Sequence, residues 1–600
     1  MTDDAAFLGV TRSARDFVWR ERLTGEQATI ANAIAQRHGL PEILGRVLAA
    51  RGTTLDTVDD ALNPTLKSLM PDPRTMRDAE KGAARLADAI EKSEPVAVFG
   101  DYDVDGGTSS ALVSLFMKAH GQDVRIYIPD RIFEGYGPNV GAIETLIEEG
   151  AKLIVTVDCG TTSHEALEFA STRGADVVII DHHLAGEVLP DVWAVINPNR
   201  QDDISDLGHL CAAGVTFMVL VETLRTLKER GFYKGDIKAP DLLQLLDLVA
   251  LGTVCDVVPL QGLNRAFVVQ GLKIMKHRKN VGLRALADAS RLNSQPTSYH
   301  LGFMLGPRIN AGGRIGDAAL GARLLAGDDE IEARRISELL DRLNGERKEI
   351  ETQMLEEANI RAELMIEEAP DLPVIILGGD NFHKGVVGLV ASRLTDRFRR
   401  PSCVIAWDEK GEQGTGSLRS IAGVDIGSAV QKAVAAGLLI KGGGHAMAAG
   451  LTVERSRVDE LAMFMDGLLA DSATRMRSEA TLKVDGALTP GSVTAEFVDV
   501  LERAGPYGNS NPQPRFVFPA HRIKFAKIVG EAHIRCVLQA ADGKRIDAIS
   551  FRSVGTPIGD LLLGSKGMPL HIAGNVRRDT WGGRSRLEVQ INDVADPRAN

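Results

Sequence analysis

Three apolar runs in the first third of this 600-residue chain end in aspartate or histidine side chains. The runs and the polar residues that follow them are residues 96–100 with Asp101 and Asp103, residues 153–157 with Asp158, and residues 177–180 with Asp181, His182 and His183. Apolar, β-branched runs of this length are typical of buried parallel strands, and ligands of open parallel sheets lie at the carboxyl ends of the strands. Because several carboxylates at one sheet edge repel each other without cations, the pattern predicts a metal-dependent active site.

The spacing within the first run supports this interpretation. Asp101 and Asp103 are two residues apart, so in an extended chain their side chains lie on one face. Gly106 and Gly107 then allow a tight turn into a helix. Taken alone, an aspartate-rich loop after a strand is more often a helix cap or a turn. Three such strand ends close together in sequence favour a metal site, and mixed Asp and His ligands suit Mn²⁺ or Mg²⁺.

A fourth apolar run, residues 248–255, ends at Asp256. A single aspartate in apolar surroundings usually accepts hydrogen bonds from backbone amides. In this chain it follows three other carboxylate-bearing runs, so we expect Asp256 to belong to the same site.

The ordered series of motifs resembles the DHH phosphoesterases. The segments that carry the resemblance are Asp101-Tyr-Asp103-Val-Asp105-Gly106, Asp158, Asp181-His182-His183 and Gly252-Thr-Val-Cys-Asp256-Val-Val-Pro-Leu260. Residues 442–450, Gly-Gly-Gly-His-Ala-Met-Ala-Ala-Gly, resemble the signature of the associated DHHA1 domain. Residues 306–314 and 505–516 are similar to segments of the bacterial single-stranded-DNA exonucleases of this superfamily. The resemblance covers roughly residues 50 to 600.

The resemblance implies a two-metal phosphodiesterase mechanism. The residues expected to hold two divalent ions, Mn²⁺ or Mg²⁺, are Asp101, Asp103, Asp158, His182 and Asp256. The other catalytic residues that it implies are His183 and His445, which would neutralise phosphate oxygens, and Asp105 and Asp181, which would orient the ligands.

One position departs from part of the family. Some members have a histidine two residues before the first motif aspartate, where this chain has Phe99. The second ion is therefore expected to bind more weakly, or to rely on Asp101 and water.

Substrate binding requires fixed cationic or polar groups, and arginine suits a 5′-phosphate pocket better than lysine. The candidates are Arg131, Arg308, Asn310, His383, Ser417 and Arg419. Arg419 is equally consistent with an ordinary surface residue. The glycine-rich turn around His445 would also let backbone amides approach a phosphate closely.

Composition and charge are those of a large globular enzyme, with 44% apolar and 25% charged residues. The net charge of −12 argues against a nucleic-acid substrate, but residues 520–600 contain 13 Lys and Arg against 8 Asp and Glu. We find no apolar run of transmembrane length, no signal peptide and no CxxC pair among the five cysteines, which we expect to be reduced and mostly buried. A cytoplasmic protein without a membrane role is expected.

The pattern predicts an α/β fold in several parts. Residues 1–75 are an N-terminal extension, residues 76–327 a parallel-sheet DHH catalytic domain, residues 328–370 a connecting helix, residues 371–470 a smaller α/β DHHA1 domain, and residues 471–600 an OB-type β-barrel. Strand-like runs alternate with helical segments from about residue 93 to 300, as in βαβ units.

The C-terminal part has short alternating runs separated by turn residues, which predict a small barrel; the resemblance implies an OB-fold. Phe525, Phe551 and Trp581 are candidates for stacking on bases. Two of the three are expected to fill the barrel core, Phe551 most of all.

The resemblance implies a 5′→3′ exonuclease that degrades single-stranded DNA to mononucleotides in DNA recombination and repair. A single-strand-binding protein and a RecQ-type helicase are the implied partners, and a monomer is expected. One alternative is a DHH–DHHA1 phosphodiesterase of oligoribonucleotides or cyclic dinucleotides, although such enzymes are typically shorter and lack the barrel and the long helix. Another is a non-catalytic DNA-binding scaffold, against which the intact carboxylates argue.

Overall fold

The computed structural model describes residues 5–130, 134–135, 137–565, 567–579 and 586–598. Arg131 and Trp581, which the sequence singled out, lie outside these ranges. The chain forms two compact units: Leu69–Arg477 is one, and the residues up to Ser68 together with those from Ser478 onward are the other.

The N-terminal segment contributes one strand and four helices: β1 (Val18–Glu21), α1 (Gly25–His38), α2 (Glu42–Ala49), α3 (Val58–Leu62) and α4 (Leu66–Leu69). The side chain of Thr24 caps α1 by accepting from the amide of Gln27, and the Gln27 side chain accepts from the amide of Thr24. Gly45 lets α2 approach α1 closely, because a Cβ there would lie 2.6 Å from the Ala31 carbonyl oxygen.

A five-stranded parallel sheet forms the first part of the larger unit. Its elements are α5 (Ala79–Lys92), β2 (Val96–Gly100), α6 (Val104–Ala119), β3 (Arg125–Tyr127), α7 (Val140–Glu148), β4 (Leu153–Val157), α8 (His164–Thr172), β5 (Asp176–Ile180) and β6 (Ala194–Ile196). The strand order is β3-β2-β4-β5-β6, and every residue of β2 and β4 is buried, as expected of a sheet covered on both faces. Asp101, Asp158 and Asp181 therefore follow three neighbouring strands at one edge.

Every regular element described between residues 212 and 326 is helical. They are α9 (Ala212–Glu229), α10 (Leu246–Cys255), α11 (Gly262–Met275), α12 (Val281–Ala289), α13 (Ser298–His300), a π-helical turn (Leu301–Leu305), α14 (Gly306–Ile315) and α15 (Leu320–Ala326). The predicted alternation of strands and helices is therefore wrong beyond Ile196. The apolar run before Asp256 is helix α10, buried all round, and periodicity cannot distinguish such a helix from a buried strand.

Helix α16 (Glu330–Glu368), 39 residues long, leads into a second sheet. The elements of this part are β7 (Ile375–Gly379), α17 (Val387–Phe398), β8 (Ser402–Trp407), β9 (Gln413–Arg419), α18 (Ile426–Ala435), β10 (Lys441–His445), β11 (Ala448–Glu454) and α19 (Val458–Ser478). The strand order is β10-β11-β9-β8-β7, in which only the pair β7–β8 is parallel. The glycine-rich signature forms the edge hairpin, with His445 as the last residue of β10.

The C-terminal part is a closed barrel. Its elements are β12 (Thr481–Val484), β13 (Gly486–Ala487), α20 (Ala495–Glu502), β14 (Phe516–Val529), β15 (His533–Gln539), β16 (Arg545–Ser550), α21 (Pro557–Gly564), β17 (Pro569–Asp579) and β18 (Arg586–Ala595). The sheet order is β13-β14-β15-β16-β18-β17, and pairing of β14 with β17 closes it.

Short 3-10 turns lie at Phe7–Gly9, Pro73–Thr75, Leu242–Leu245, Arg455–Arg457 and Pro490–Ser492.

The N-terminal segment is part of the barrel unit. Strand β1 pairs in parallel with β12, with Val18 opposite Thr481. The indole of the fully buried Trp19 donates a hydrogen bond of 2.9 Å to Asp593. The sequence does not reveal this role, because the two paired segments are separated by most of the chain.

All five cysteines are free, and four of them are buried. Within the described ranges, every helix is too short or too polar to cross a lipid bilayer.

Candidate metal centre and phosphate site

The five side chains predicted to bind metal converge at the carboxyl ends of the parallel strands, and Asp105 and His183, which were predicted for other catalytic roles, join them. Ligand atoms lie within 4.8 Å of one another in each of three groups: Asp101, Asp103 and Asp158; Asp158, His182 and His183; and Asp105, His182 and Asp256. Because Asp158 and His182 each belong to two groups, the three groups form one continuous centre. Carboxylate oxygens with an imidazole nitrogen are a donor set that fits Mn²⁺ or Mg²⁺.

The loop after β2 is held by its own backbone. Oδ1 of Asp103 accepts from the amides of Asp105 at 2.8 Å and Gly106 at 3.1 Å, so Asp103 caps α6. A side chain at Gly106 would collide with the backbone of Asp101. Asp103 therefore both caps the helix and belongs to the carboxylate cluster, and the two interpretations of this motif are compatible.

His182 is oriented by a carbonyl behind it. Its Nδ1 lies 3.1 Å from the Leu210 carbonyl oxygen, and a proton there leaves the Nε2 lone pair facing the carboxylates. Nε2 lies 3.2 Å from Oδ1 of Asp158 and 3.7 Å from Oδ2 of Asp256. This arrangement is typical of a metal-binding histidine.

Burial and the neighbouring carboxylates both disfavour the charged forms of Asp158 and Asp256. Burial raises the pKa of Asp158 well above its usual range, and the charges of Asp105 and Asp103 raise it further. Burial and the same two neighbours raise the pKa of Asp256 to about 9. Divalent cations would remove this repulsion and keep the carboxylates ionised.

Asp105 is anchored to helix α9. Its two carboxylate oxygens accept from the amides of Ala212 at 2.6 Å and Ala213 at 2.9 Å. A Cβ at Gly252 would lie 2.8 Å from Oδ1 of Asp105, so the glycine of the fourth motif makes room for this carboxylate. Asp105 thus fixes α6 against α9 and α10 while it also belongs to the carboxylate cluster.

Asp181 and His183 form a hydrogen-bonded pair at the edge of the centre. Nδ1 of His183 lies 2.8 Å from Oδ1 of Asp181, and Thr161 donates its amide to the other oxygen. Burial by itself raises the pKa of Asp181, but the bonds from His183 and Thr161 outweigh it and hold the pKa well below the usual range. Burial lowers the pKa of His183, but Asp181 outweighs this effect and raises it. The pair therefore favours a cationic imidazole.

Phe99 is part of the hydrophobic core. Its side chain is fully buried and stacks on Tyr127 with 5.5 Å between the ring centroids. It offers no ligand atom to the centre.

Helix α14 connects the metal loop with the second sheet. A Cβ at Gly313 would lie 2.8 Å from the carbonyl oxygen of Tyr102, so the helix packs directly on the loop that carries Asp101 and Asp103. Arg314 donates to the Gly385 carbonyl oxygen at 3.0 Å. This contact ties the catalytic sheet to the loop before α17.

Two predicted substrate-binding residues also lie on α14. Arg308 donates to Asp341 at 2.8 Å and to the Met304 carbonyl oxygen at 2.7 Å, so it links α14 to α16. Asn310 is half-buried, and its enclosed Oδ1 accepts no hydrogen bond from the described residues.

A groove of about 490 Å³ lies on the second sheet. Its polar lining comprises Lys384, Thr415, Ser417, Lys441, Thr452 and the backbone of Gly442, Gly443 and Gly450. Ser417 is one of the predicted substrate-binding residues, whereas Lys384 and Lys441 are not among them, since isolated lysines carry no spacing signal. Their proximity to His383 and to the glycine run was the available hint.

The other predicted residues of this sheet lie around the groove. Arg419 donates to Oγ of Ser417 at 2.9 Å and to the Leu418 carbonyl oxygen at 2.7 Å. His383 accepts from the Gly385 amide at 3.0 Å, and burial lowers its pKa. His445 is exposed at the end of β10.

The barrel exposes two of its aromatic residues. Phe525 is 56% exposed and Phe551 is 40% exposed, and the guanidinium of Arg577 lies 5.2 Å above the Phe551 ring. The prediction that Phe551 fills the core is wrong. Phe551 lies just beyond β16, in the turn that follows Ser550, where its side chain is not enclosed by the barrel.

Three family profiles match the chain in order. They are the DHH family N-terminal domain over residues 95–253, the DHHA1 domain over residues 371–471 and the RecJ OB domain over residues 484–593.

Curated relatives and solved structures agree with these profiles. The single-stranded-DNA-specific exonuclease RecJ of Dickeya dadantii is 37% identical over 521 residues, which cover 85% of this chain and 89% of the relative. The protein of that name from Escherichia coli is 36% identical over 523 residues, with the same coverage. The crystal structure of RecJ from Thermus thermophilus in complex with Mn²⁺ is similar with a TM-score of 0.77 and 28% identity, covering 95% of this chain and 78% of that one. The chain belongs to the RecJ family.

Proposed function

We propose that the chain is a metal-dependent exonuclease that degrades single-stranded DNA from its 5′ end to mononucleotides and serves DNA recombination and repair. The observation that carries the proposal is the convergence of five potential ligands, in a chain whose relatives are named single-stranded-DNA-specific exonucleases. These ligands are Asp101, Asp103, Asp158, His182 and Asp256.

The centre suits phosphodiester hydrolysis. Bound divalent ions would polarise the scissile phosphate and lower the pKa of an attacking water. Structures of the Thermus relative are described in complex with Mn²⁺ and with Mg²⁺, and we propose either ion for this chain. Asp181 raises the pKa of His183, and the protonated imidazole would add positive charge where the phosphate becomes more negative in the transition state.

The groove on the second sheet is the proposed site of the 5′ end. Lys384 and Lys441 supply positive charge, and Ser417 with Arg419 supplies donors near the glycine backbone. The contact between Arg314 and Gly385 fixes the distance between this groove and the metal loop. A fixed distance is what release of one nucleotide at a time requires. His445, on the same hairpin, is proposed to contact the scissile phosphate.

The barrel is the proposed contact for the rest of the strand. Exposed Phe525 and Phe551, the latter beneath Arg577, offer stacking faces and positive charge. We also propose that a RecQ-type helicase and a single-strand-binding protein supply and present the strand, and that the chain acts as a monomer. Free cysteines fit the reducing cytoplasm that we propose as its location.

The direct test compares substrates and metals. A 5′-labelled and a 3′-labelled single strand, and a cyclic dinucleotide, are each incubated with Mn²⁺ or with EDTA. We expect immediate release of labelled mononucleotide from the 5′-labelled strand, only late release from the 3′-labelled strand, and none in EDTA. Faster cleavage of the cyclic dinucleotide would favour the alternative phosphodiesterase, and tight strand binding without any cleavage would favour the scaffold.

A further inference from the structure

An exposed pair of stacked aromatic side chains lies on the helical segment that borders the metal centre. The rings of Tyr299 and Phe303 have centroids 5.1 Å apart and planes inclined by 26°. Tyr299 is 62% exposed and Phe303 is 71% exposed. Together they present a flat apolar surface to solvent.

The helical turn that carries the pair packs against the residues that precede Asp256. The Leu301 carbonyl oxygen accepts from Sγ of Cys255 at 3.5 Å. A Cβ at Gly306 would lie 2.5 Å from the same sulfur, and a Cβ at Gly302 would lie 3.4 Å from Val254. The π-helical turn between Tyr299 and α14 therefore packs against the end of α10, and π-helical turns are frequent at functional sites.

The neighbouring backbone is strained. Val257, directly after Asp256, has a φ of +60° and is 62% exposed. A β-branched residue rarely adopts this conformation, and such strain concentrates at functional sites.

The structure also shows where the aromatic pair lies along the proposed substrate path. Gly313 packs on Tyr102 in the metal loop, and Arg314 contacts Gly385 next to the groove proposed for the 5′ end. Phe303 lies ten residues earlier on the same helical segment, about 15 Å along its axis. The metal loop thus lies toward the Gly313 end of the segment, and the aromatic pair lies toward the other end.

We infer that Tyr299 and Phe303 form a stacking platform for a base on the 3′ side of the scissile phosphate. This inference rests on the proposed function. Nucleobases stack on aromatic rings whatever their identity, which suits an enzyme that must accept every sequence. The platform holds the remaining strand beside the centre while the released mononucleotide leaves.

The test measures stacking separately from cleavage. A series of 5′-phosphorylated strands carries the fluorescent base 2-aminopurine at successive positions, and each is titrated with the full chain in EDTA, where it is not cut. We expect quenching at one internal position, lost in Tyr299→Leu and Phe303→Leu and kept in Phe303→Tyr. At that position, replacing the base by an abasic site should weaken binding at least about fivefold in the wild-type chain, and much less in the leucine variants.

Trp193→Leu is the matched control, because Trp193 is 40% exposed and directly precedes β6. It therefore lies at the amino ends of the parallel strands, whereas the metal centre lies at their carboxyl ends. This variant should quench as the wild type does. Thermal unfolding checks each variant, since an aromatic pair four residues apart also stabilises a helix.

Two outcomes would overturn the inference, and they are distinguishable. Unchanged quenching in folded leucine variants, with a wild-type chain that cuts single strands in Mn²⁺, overturns the platform alone. A wild-type chain that cuts no single strand in Mn²⁺ overturns the proposed function and the platform with it.

Discussion

Nδ1 of His183 lies 2.8 Å from Oδ1 of Asp181, an oxygen that also accepts the backbone amides of His182 and His183. The Asp181 carboxylate therefore holds the backbone of residues 181–183 and also raises the pKa of the His183 imidazole. This relationship predicts how activity depends on pH.

Asp181→Asn should move the alkaline limb of the pH–rate profile to lower pH. The carboxylate raises the pKa of His183, so its removal lets the imidazole lose its proton at lower pH. Single-turnover rates with Mg²⁺ between pH 6 and pH 9 measure the shift. Asp176→Asn, at the other end of β5, is the control and should leave the profile in place. Equal profiles for Asp181→Asn and the wild type would contradict the role of His183.

Asp158→Asn should reduce the stabilisation by Mn²⁺ without lowering the stability of the metal-free protein. Without metal the variant should unfold no more easily than the wild type, because a repelled, buried carboxylate is neutralised and Asn tolerates the φ of +61° at this position. Saturating Mn²⁺ should raise the free energy of unfolding of the wild type by about 2.7 kcal/mol at a hundredfold excess over Kd. The variant should gain much less. Urea unfolding with and without Mn²⁺ measures both values, and an equal gain in the variant would refute Asp158 as a ligand.

Asp247→Asn should stabilise the chain at neutral pH and above. Asp247 is buried, pairs with no cation among the described residues and lines a cavity of about 450 Å³. Burial raises its pKa to about 7, so the folded state keeps a proton that the unfolded chain loses near pH 4. The contribution of Asp247 to stability should therefore fall as pH rises from about 4 to about 7, by a few kcal/mol, and then level off.

The measurement for Asp247 is the difference in unfolding free energy between variant and wild type, determined in EDTA at several pH values. The difference should grow over the same pH interval and stay constant above it. Asp241→Asn, at an exposed cap nearby, should show no such trend. A difference independent of pH would contradict the buried titration.

His445→Ala should slow cleavage more than it weakens binding. A group that contacts the scissile phosphate acts mainly where charge develops, and loss of such a donor costs about a hundredfold in rate. Single-turnover cleavage and equilibrium binding of the same strand are compared. Lys384→Ala should weaken binding more than it slows cleavage, because Lys384 lines the groove proposed for the 5′ end. The exposed His277→Ala is the control, and a pure binding defect in His445→Ala would refute its role.

Removal of the barrel unit should leave hydrolysis of very short oligonucleotides but weaken binding of long strands. The fragment must comprise residues 69–477, because the N-terminal segment pairs with β12 and shares a core with the barrel. Stacking is worth about 1–3 kcal/mol per base, and phosphate contacts weaken as salt rises. A length series of 5′-phosphorylated strands at two salt concentrations compares the fragment with the full chain. Equal affinity for long strands would show that the barrel does not hold DNA.

Much of the centre is determined by the sequence. Asp101, Asp158 and Asp181 each follow a run whose apolar, β-branched residues predict a buried strand, and parallel strands carry such side chains to one edge. The sequence also predicts the long helix after residue 328, because apolar residues recur at helical spacing between the charged ones. These signals are local, since each depends on a few neighbouring residues.

Tertiary structure decided the rest. The run before Asp256 is a helix because α6, α9 and α11 surround it, and the run itself carries no sign of its neighbours. The pairing of Val18 with Thr481 joins segments that are remote in sequence, so no local pattern announces it. Arg308 binds Asp341, whereas Lys384 and Lys441 line the groove, because packing between elements determines where a long cationic side chain lies. The sequence by itself thus determined which chemical groups gather at the strand ends, and only the tertiary structure decided which distant segments complete the site.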